Sequence, residues 1–155
     1  MPATSVADID EVANLIDGAA SPLVLIFDVD NTIVRQGARL DEFAVAVHDA
    51  RDRFAALPAV ERVILLTNGP ERGVPWLESR GNKPWTSRRR LGLRGWEREV
   101  WVVGDQIVTD GALAWRLGAR FVHLVIDADH EAMRQATMRR LGRRLESVFF
   151  SEWPG

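Results

Sequence analysis

Four short apolar runs constrain the fold of this chain more than any other feature of its sequence. They cover residues 23–27, 62–67, 99–103 and 121–126. Because polar residues do not alternate through them, such runs predict strands that are buried on both faces. Helical spacing in the intervening segments predicts helices over residues 5–17, 40–56, 109–118 and 129–148, and a short one over 85–91. Strands alternating with helices predict a three-layer α/β fold with a mainly parallel sheet, here as a single domain over residues 1–155.

Polar residues stand where three of the predicted strands end. Strand by strand, they are Asp28 and Asp30, Thr67 and Asn68, and Asp105 and Asp110. The carboxyl ends of parallel strands meet at one edge of the sheet, and ligands of such sheets bind there. The sequence therefore predicts a site at this edge, with four carboxylates and a threonine.

The residue types at this edge favour a hard cation. Clustered carboxylates repel one another unless a cation is present, and their oxygen atoms suit Mg²⁺. Zinc fits poorly, because the chain has no cysteine and its 3 histidines form no ligand pattern. Lys83 is the only lysine among 20 basic residues, which favours a role for a compact ammonium. Carboxylates, Mg²⁺ and a lysine together fit phosphoryl transfer, in which a carboxylate can also be the nucleophile.

Four motifs carry this chemistry in chain order. They are Asp28-Val29-Asp30-Asn31-Thr32, Thr67-Asn68, Lys83-Pro84 and Gly104-Asp105-Gln106-Ile107-Val108-Thr109-Asp110. In type, order and position they resemble the four motifs of the haloacid dehalogenase (HAD) superfamily, whose members have a HAD-like (Rossmannoid) domain. Within it, the chain most resembles the capless subfamily IIIA, the group of YqeG-like proteins and phosphatidylglycerophosphate phosphatases. That similarity covers roughly residues 5–127 and includes Ser5-Val6-Ala7-Asp8-Ile9-Asp10.

The resemblance implies a Mg²⁺-dependent phosphatase that hydrolyses a phosphate monoester through an aspartyl-phosphate. Asp28 would be the nucleophile and a magnesium ligand. Asp30 would act first as general acid and then as base, with its backbone carbonyl on the metal. Lys83 would bridge the phosphate and the nucleophile.

The resemblance also implies roles for the remaining motif residues. Thr67, with Asn68, would bind the substrate phosphate. Asp105 would ligate the metal, and Asp110 would support the metal shell or Lys83. Only 14 residues separate Asn68 from Lys83, which predicts a truncated helix and edge strand after the second motif.

The intervals between motifs are too short for a large cap domain. An open site suits a bulky or surface-held substrate, unless a neighbouring subunit closes it. Phosphatidylglycerophosphate is the first expectation, on resemblance alone. A soluble or macromolecular phosphate (a sugar phosphate, a nucleic acid end or a phosphoprotein) stays open as the substrate, and so does a non-catalytic binding module that keeps the fold.

Charge and hydropathy limit the partners and the cellular compartment that we expect for this protein. The net charge of −2 predicts no stable nucleic acid binding. Residues 1–4 lack the basic start and apolar core of a signal peptide, and the apolar runs are too short to span a membrane, so we expect a cytoplasmic protein. The run Arg88-Arg89-Arg90 is more typical of a solvated helix face than of an anion receptor. The oligomeric state stays open.

The last predicted helix is amphipathic. One face carries Met133, Thr137, Leu141, Leu145 and Val148, with Arg139, Arg143 and Glu146 roughly opposite. We expect the apolar face to pack on the sheet and the arginines to face water. The alternative is peripheral contact of this basic helix with an anionic membrane.

Overall fold

The computed structural model describes residues 1–19, 22–35, 38–69, 73–74, 77–79, 83–93, 99–125 and 133–150. These residues form six strands: β1 (Ala3–Val6), β2 (Leu23–Asp28), β3 (Val60–Thr67), β4 (Leu77–Ser79), β5 (Glu99–Gly104) and β6 (Arg120–Leu124). They also form four α-helices: α1 (Ile9–Asp17), α2 (Leu40–Ala55), α3 (Ala112–Leu117) and α4 (Met133–Phe149). A π-helical turn (Ile107–Gly111) leads directly into α3.

The strands form one sheet in the order β1-β6-β5-β2-β3-β4, and every neighbouring pair is parallel. From β2 the chain winds outward through β3 to β4, and it then returns to β5 on the other side of β2. The winding direction therefore reverses between β2 and β5. This reversal opens a crevice at the carboxyl ends of these two strands, where ligands of such sheets bind.

Helices cover both faces of the sheet, as the uninterrupted apolar runs predict. In β2, Leu25 and Phe27 pack on the side of α1 and α2, whereas Val24 and Ile26 pack on the side of α3. All six residues of β2 are buried. The three-layer, Rossmann-like α/β fold predicted from the sequence is confirmed.

No large cap is present in the part of the chain that the structure describes. Within residues 29–35 and 38–59, the described part of the segment between β2 and β3, α2 is the only helix or named strand, and β4, which follows β3, is 3 residues long. The predicted shortening of the edge strand after the second motif is confirmed. The predicted truncation of the helix falls largely on residues outside those that the structure describes. Among the described residues, no helix is both long enough and apolar enough to cross a membrane.

The prediction of a helix over residues 5–17 is wrong at its beginning. Residues 3–6 form the edge strand β1, in which Ser5 pairs with His123 of β6. Helix α1 is capped by Asp8, whose side chain accepts hydrogen bonds from the backbone N–H groups of Asp10 and Glu11. A short edge strand can carry polar residues such as Ser5, so it leaves little strand signal in the sequence.

The predicted short helix over residues 85–91 is also wrong. This segment forms turns, which end at Gly92 in the left-handed region (φ 66°). Arg88 does not simply face water, because its guanidinium donates a 2.8 Å hydrogen bond to the Leu117 carbonyl at the end of α3. A cation is favourable at the carboxyl end of a helix, so Arg88 has a structural role there.

The helix predicted over residues 109–118 begins earlier, with the π-helical turn at Ile107, and its last residue is Leu117. Gly118 follows in the left-handed conformation (φ 61°) that commonly ends helices.

The predicted orientation of the last helix is wrong at several positions. Helix α4 packs on the π-helical turn through Gly142, where an added Cβ would lie 3.0 Å from Cβ of Ile107. This close approach turns Thr137, Leu141 and Val148 outward, where all three are exposed. Residues 129–132 of the predicted helix lie outside the described residues.

Candidate active site

Asp28 is the last residue of β2 and lies at the crevice where the winding reverses. Its Oδ1 atom accepts a 2.7 Å hydrogen bond from the backbone N–H of Val29. The chain then turns sharply, with Asn31 in the left-handed region (φ 63°) and the N–H groups of residues 32–34 directed at the Val29 carbonyl. Asn tolerates this conformation better than most residues, which explains its place in the motif.

Lys83 reaches the same point from the loop before β5. Its Nζ atom donates to Oδ1 of Asp28 and, at 2.9 Å, to Oδ1 of Asp110. The lysine side chain is 3% exposed. The structure thus brings the Lys83 ammonium between two of the predicted site carboxylates.

Asp105 and Asp110 both follow β5, which neighbours β2. The π-helical turn directs Asp110 back toward the strand, where its Oδ2 accepts a 3.2 Å hydrogen bond from the N–H of Gln106. Gly104 permits this approach, because a Cβ atom at that position would collide with the Asp110 carboxylate. Carboxylate oxygens of Asp28, Asp105 and Asp110 lie within 4.8 Å of one another.

Negative charge exceeds positive charge in this cluster, because one ammonium lies among three buried carboxylates. Burial raises the pKa of Asp28 well above its ordinary value of 3.8, the charge of Asp110 raises it further, and Lys83 acts in the opposite direction. For Lys83, burial acts to lower the pKa, but the charges of Asp110 and Asp28 outweigh it and raise the pKa above 10.5. Lys83 therefore stays charged at neutral pH, while the site keeps excess negative charge.

Asp30 and Thr67 form a separate pair at the same edge of the sheet. The Thr67 hydroxyl donates a 2.6 Å hydrogen bond to Oδ2 of Asp30 and accepts one from the N–H of Gly69 at 2.8 Å. Thr67 is 1% exposed. The hydrogen bond fixes the orientation of the Asp30 carboxyl group, whose side chain lies outside the cluster of three aspartates.

Asn68 makes a contact that its predicted role does not include. Its Oδ1 atom accepts a 2.9 Å hydrogen bond from the backbone N–H of Lys83. The residue after β3 thus holds the loop that carries the lysine. Sequence spacing could not reveal this contact, because the 14 intervening residues could follow many paths.

His123 is a neighbour of the site that sequence reasoning missed. It lies on β6 opposite Gly104, and its Nε2 atom is 3.3 Å from the backbone carbonyl oxygen of Asp105. The only sequence signal was its position near the carboxyl end of a predicted strand.

The donor set suits a hard divalent cation. The three clustered carboxylates are buried, and Asp105 and Asp110 approach Asp28 from the neighbouring strand. Oxygen donors with excess negative charge are the ligands that Mg²⁺ prefers, and the chain offers no thiolate. Among the residues that the structure describes, Asp28, Asp105 and Asp110 are therefore the group that could hold a metal ion.

Comparison of the chain with protein-family models, with curated proteins and with solved structures finds no match. The geometry and chemistry of the site therefore carry the functional argument.

Proposed function

We propose that this protein is a Mg²⁺-dependent hydrolase of phosphate monoesters, of the HAD type, which acts through an aspartyl-phosphate on Asp28. The observation that carries the proposal is the buried ammonium of Lys83 between Asp28 and Asp110, at the sheet edge where Asp105 completes a carboxylate cluster. This arrangement combines a nucleophile, a fixed positive charge and a cation site, which are the parts that phosphoryl transfer needs.

In the first step, an Asp28 carboxylate oxygen attacks phosphorus and the bond between phosphorus and the ester oxygen breaks. Asp30 gives its proton to the departing alkoxide, and an acyl phosphate forms on Asp28. The Thr67 hydroxyl, bonded to Oδ2 of Asp30, keeps that carboxyl group in one orientation during proton transfer. Lys83 neutralises charge on the phosphoryl oxygens.

In the second step, Asp30 removes a proton from a water molecule that attacks the same phosphorus. The bond between phosphorus and the Asp28 oxygen breaks, inorganic phosphate leaves and the carboxylate is restored. Asp28, Asp105 and Asp110, with the Asp30 backbone carbonyl, would hold Mg²⁺, which supplies charge neutralisation when bound.

The test is phosphate release from an aryl phosphate in Mg²⁺ and in EDTA. We expect chelation to lower the rate at least about 100-fold, because a bound cation lowers such barriers by several kcal/mol. Hydroxylamine added during turnover should convert the acyl phosphate to a hydroxamate on Asp28, which peptide mass spectrometry locates. Equal rates of phosphate release in Mg²⁺ and in EDTA would contradict a role for the metal. A hydroxamate at another residue would contradict Asp28 as the nucleophile.

Binding of Mg²⁺ has its own readout, which does not need turnover. Thermal unfolding should shift upward with increasing Mg²⁺, since a ligand that binds only the folded state stabilises it. This shift should be absent in an Asp105→Asn variant and unchanged in Asp49→Asn, an exposed carboxylate on α2.

The proposal defines the substrate by its class, a phosphate monoester. Phosphatidylglycerophosphate comes first, and soluble or macromolecular phosphates are the alternatives that a substrate panel would separate. The proposal also takes the protein to act in the cytoplasm, where free Mg²⁺ and phosphate esters are available.

Asn68→Ala should lower kcat about tenfold with a smaller change in KM, because a catalytic group that shifts by a fraction of an ångström loses rate more than binding. The physical reason is loss of the 2.9 Å hydrogen bond that holds the Lys83 backbone. Asn68→Asp keeps an acceptor oxygen and should retain more of kcat than Asn68→Ala. Asn14→Ala, at an exposed asparagine on α1, is the matched control. A rise in KM alone would favour direct substrate binding by Asn68, which is the role that the resemblance to the HAD motifs implies.

A further inference from the structure

Charge is distributed unevenly between the two helical layers. Helices α1 and α2 carry 7 carboxylates and 2 arginines, whereas α3 and α4 carry 6 arginines and 1 glutamate. The net charge of −2 conceals this separation. The helices on one face of the sheet are therefore acidic, and those on the other face are basic.

The basic layer also exposes large apolar side chains. Exposed fractions are 46% for Leu141 and 67% for Val148 on α4, and 53% for Trp115 on α3. On α4, exposed arginines at positions 140 and 144 share a helical stripe with Leu141 and Val148. This is the apolar face of the last helix that the sequence predicts to be buried.

These exposed residues form a strip that runs toward the catalytic lysine. The rings of Trp115 and Phe149 contact one another, with centroids 5.8 Å apart, which joins α3 to the end of α4. The Arg116 guanidinium lies 5.2 Å from the ring centroid of Trp85, which is 66% exposed. Trp85 is two residues from Lys83. We call the following residues the basic–aromatic strip: Trp85, Trp115, Arg116, Arg140, Leu141, Arg144 and Val148.

We propose that the basic–aromatic strip docks this protein on the surface of an anionic lipid bilayer. Arginines are attracted to anionic headgroups, and exposed Trp, Leu and Val side chains insert at the boundary between headgroups and acyl chains. A nucleic acid would also attract the arginines, but it gives the aliphatic Leu141 and Val148 nothing to contact. The acidic layer of α1 and α2 faces the other way, so the charge separation orients the protein on the membrane.

Docking in this orientation brings the loop of Lys83 near the lipid surface through Trp85. The consequence for function rests on the proposed hydrolase activity, whereas the docking itself does not. Binding is therefore measured in EDTA, where the proposed activity is off. A failure of docking and a failure of catalysis are then separate results.

The experiment is co-sedimentation with vesicles of phosphatidylcholine alone or with about one third phosphatidylglycerol. We expect at least about tenfold tighter binding to the anionic vesicles and a loss of that binding at high salt. Arg140→Gln with Arg144→Gln should weaken binding about 25-fold, since each basic residue near such a surface contributes about a fivefold factor.

Val148→Glu should also weaken binding, because it removes an inserting side chain and adds repulsion. Its matched control is Val45→Glu on the acidic layer, where Val45 is 61% exposed. Both substitutions place one charge at an exposed valine of a helix, so a difference between them is specific to the strip.

Equal binding to neutral and anionic vesicles, or an equal effect of Val148→Glu and Val45→Glu, would overturn the proposal. The proposal would also be overturned if the protein bound a labelled oligonucleotide but bound neither kind of vesicle. Thermal unfolding of each variant, compared with wild type, separates loss of folding from loss of docking.

Discussion

An Asp28→Asn variant is expected to release phosphate at least about 10⁴-fold more slowly than wild type, because removing the nucleophile of a covalent mechanism costs this much or more. The amide keeps the size of the carboxyl group and can still accept from Lys83. It cannot attack phosphorus as an anion, so the hydroxamate trapped at residue 28 should disappear with the activity.

The same substitution should leave the fold intact. It removes one of three like charges that lie within 4.8 Å of one another in a buried site. In EDTA, the midpoint of thermal unfolding should therefore be no lower than that of wild type. The matched control is Asp49→Asn, which should change neither activity nor stability because Asp49 is exposed on α2. An Asp28→Asn protein that retains activity within about tenfold of wild type would exclude Asp28 as the nucleophile.

The central strands could be predicted because burial on both faces leaves a plain sequence signal. β2 is buried at all its positions, and its run of apolar residues marks both its length and its end at Asp28. Because the strands are parallel, the residues that follow them lie at the same edge of the sheet. This is why the sequence could bring together Asp28, Asp105 and Asp110, although they are far apart in the chain.

The remaining elements depend on contacts that have no local signal. β1 is an edge strand with one fully buried residue in four, so its composition resembles a turn as much as a strand. The outward face of α4 is set by the approach of Gly142 to Ile107, which periodicity cannot register. Likewise, the hydrogen bond from the Lys83 backbone to Asn68 depends on the path of a loop. Local sequence thus predicts which residues reach the site, whereas tertiary contacts decide how they are held.

Lys83→Met is expected to lower the free energy of unfolding in EDTA by about 3 kcal/mol at neutral pH, since breaking a buried ion pair leaves an uncompensated charge. The side chains of Lys83 and Asp110 are 3% and 1% exposed, so water cannot replace the lost partner. The measurement is urea unfolding of the variant and wild type. Adding Asp110→Asn to Lys83→Met should recover part of the loss, because the pair acts as a unit.

The stability loss in Lys83→Met should depend on pH in a defined direction. Burial already raises the pKa of Asp28 above 3.8, and without Lys83 it rises further. A carboxyl group with a raised folded pKa costs stability above that pKa, and the cost fades as pH falls toward 3.8. The raised pKa of Lys83 matters at high pH. The extra stability of wild type over the variant persists through neutral pH, and it is lost as pH rises above 10.5 and through the pKa of Lys83 in the folded state.

Mg²⁺ separates the two roles of Lys83. A divalent cation at Asp28, Asp105 and Asp110 neutralises the charge that the lysine leaves behind, so Mg²⁺ should restore more stability to Lys83→Met than to wild type. Phosphate release should nevertheless stay at least about 100-fold below wild type, because the cation does not replace a donor aimed at the phosphoryl oxygens. If Mg²⁺ restored both stability and turnover, Lys83 would be only a counter-charge for the aspartates. If it restored neither, these carboxylates would not be the metal site.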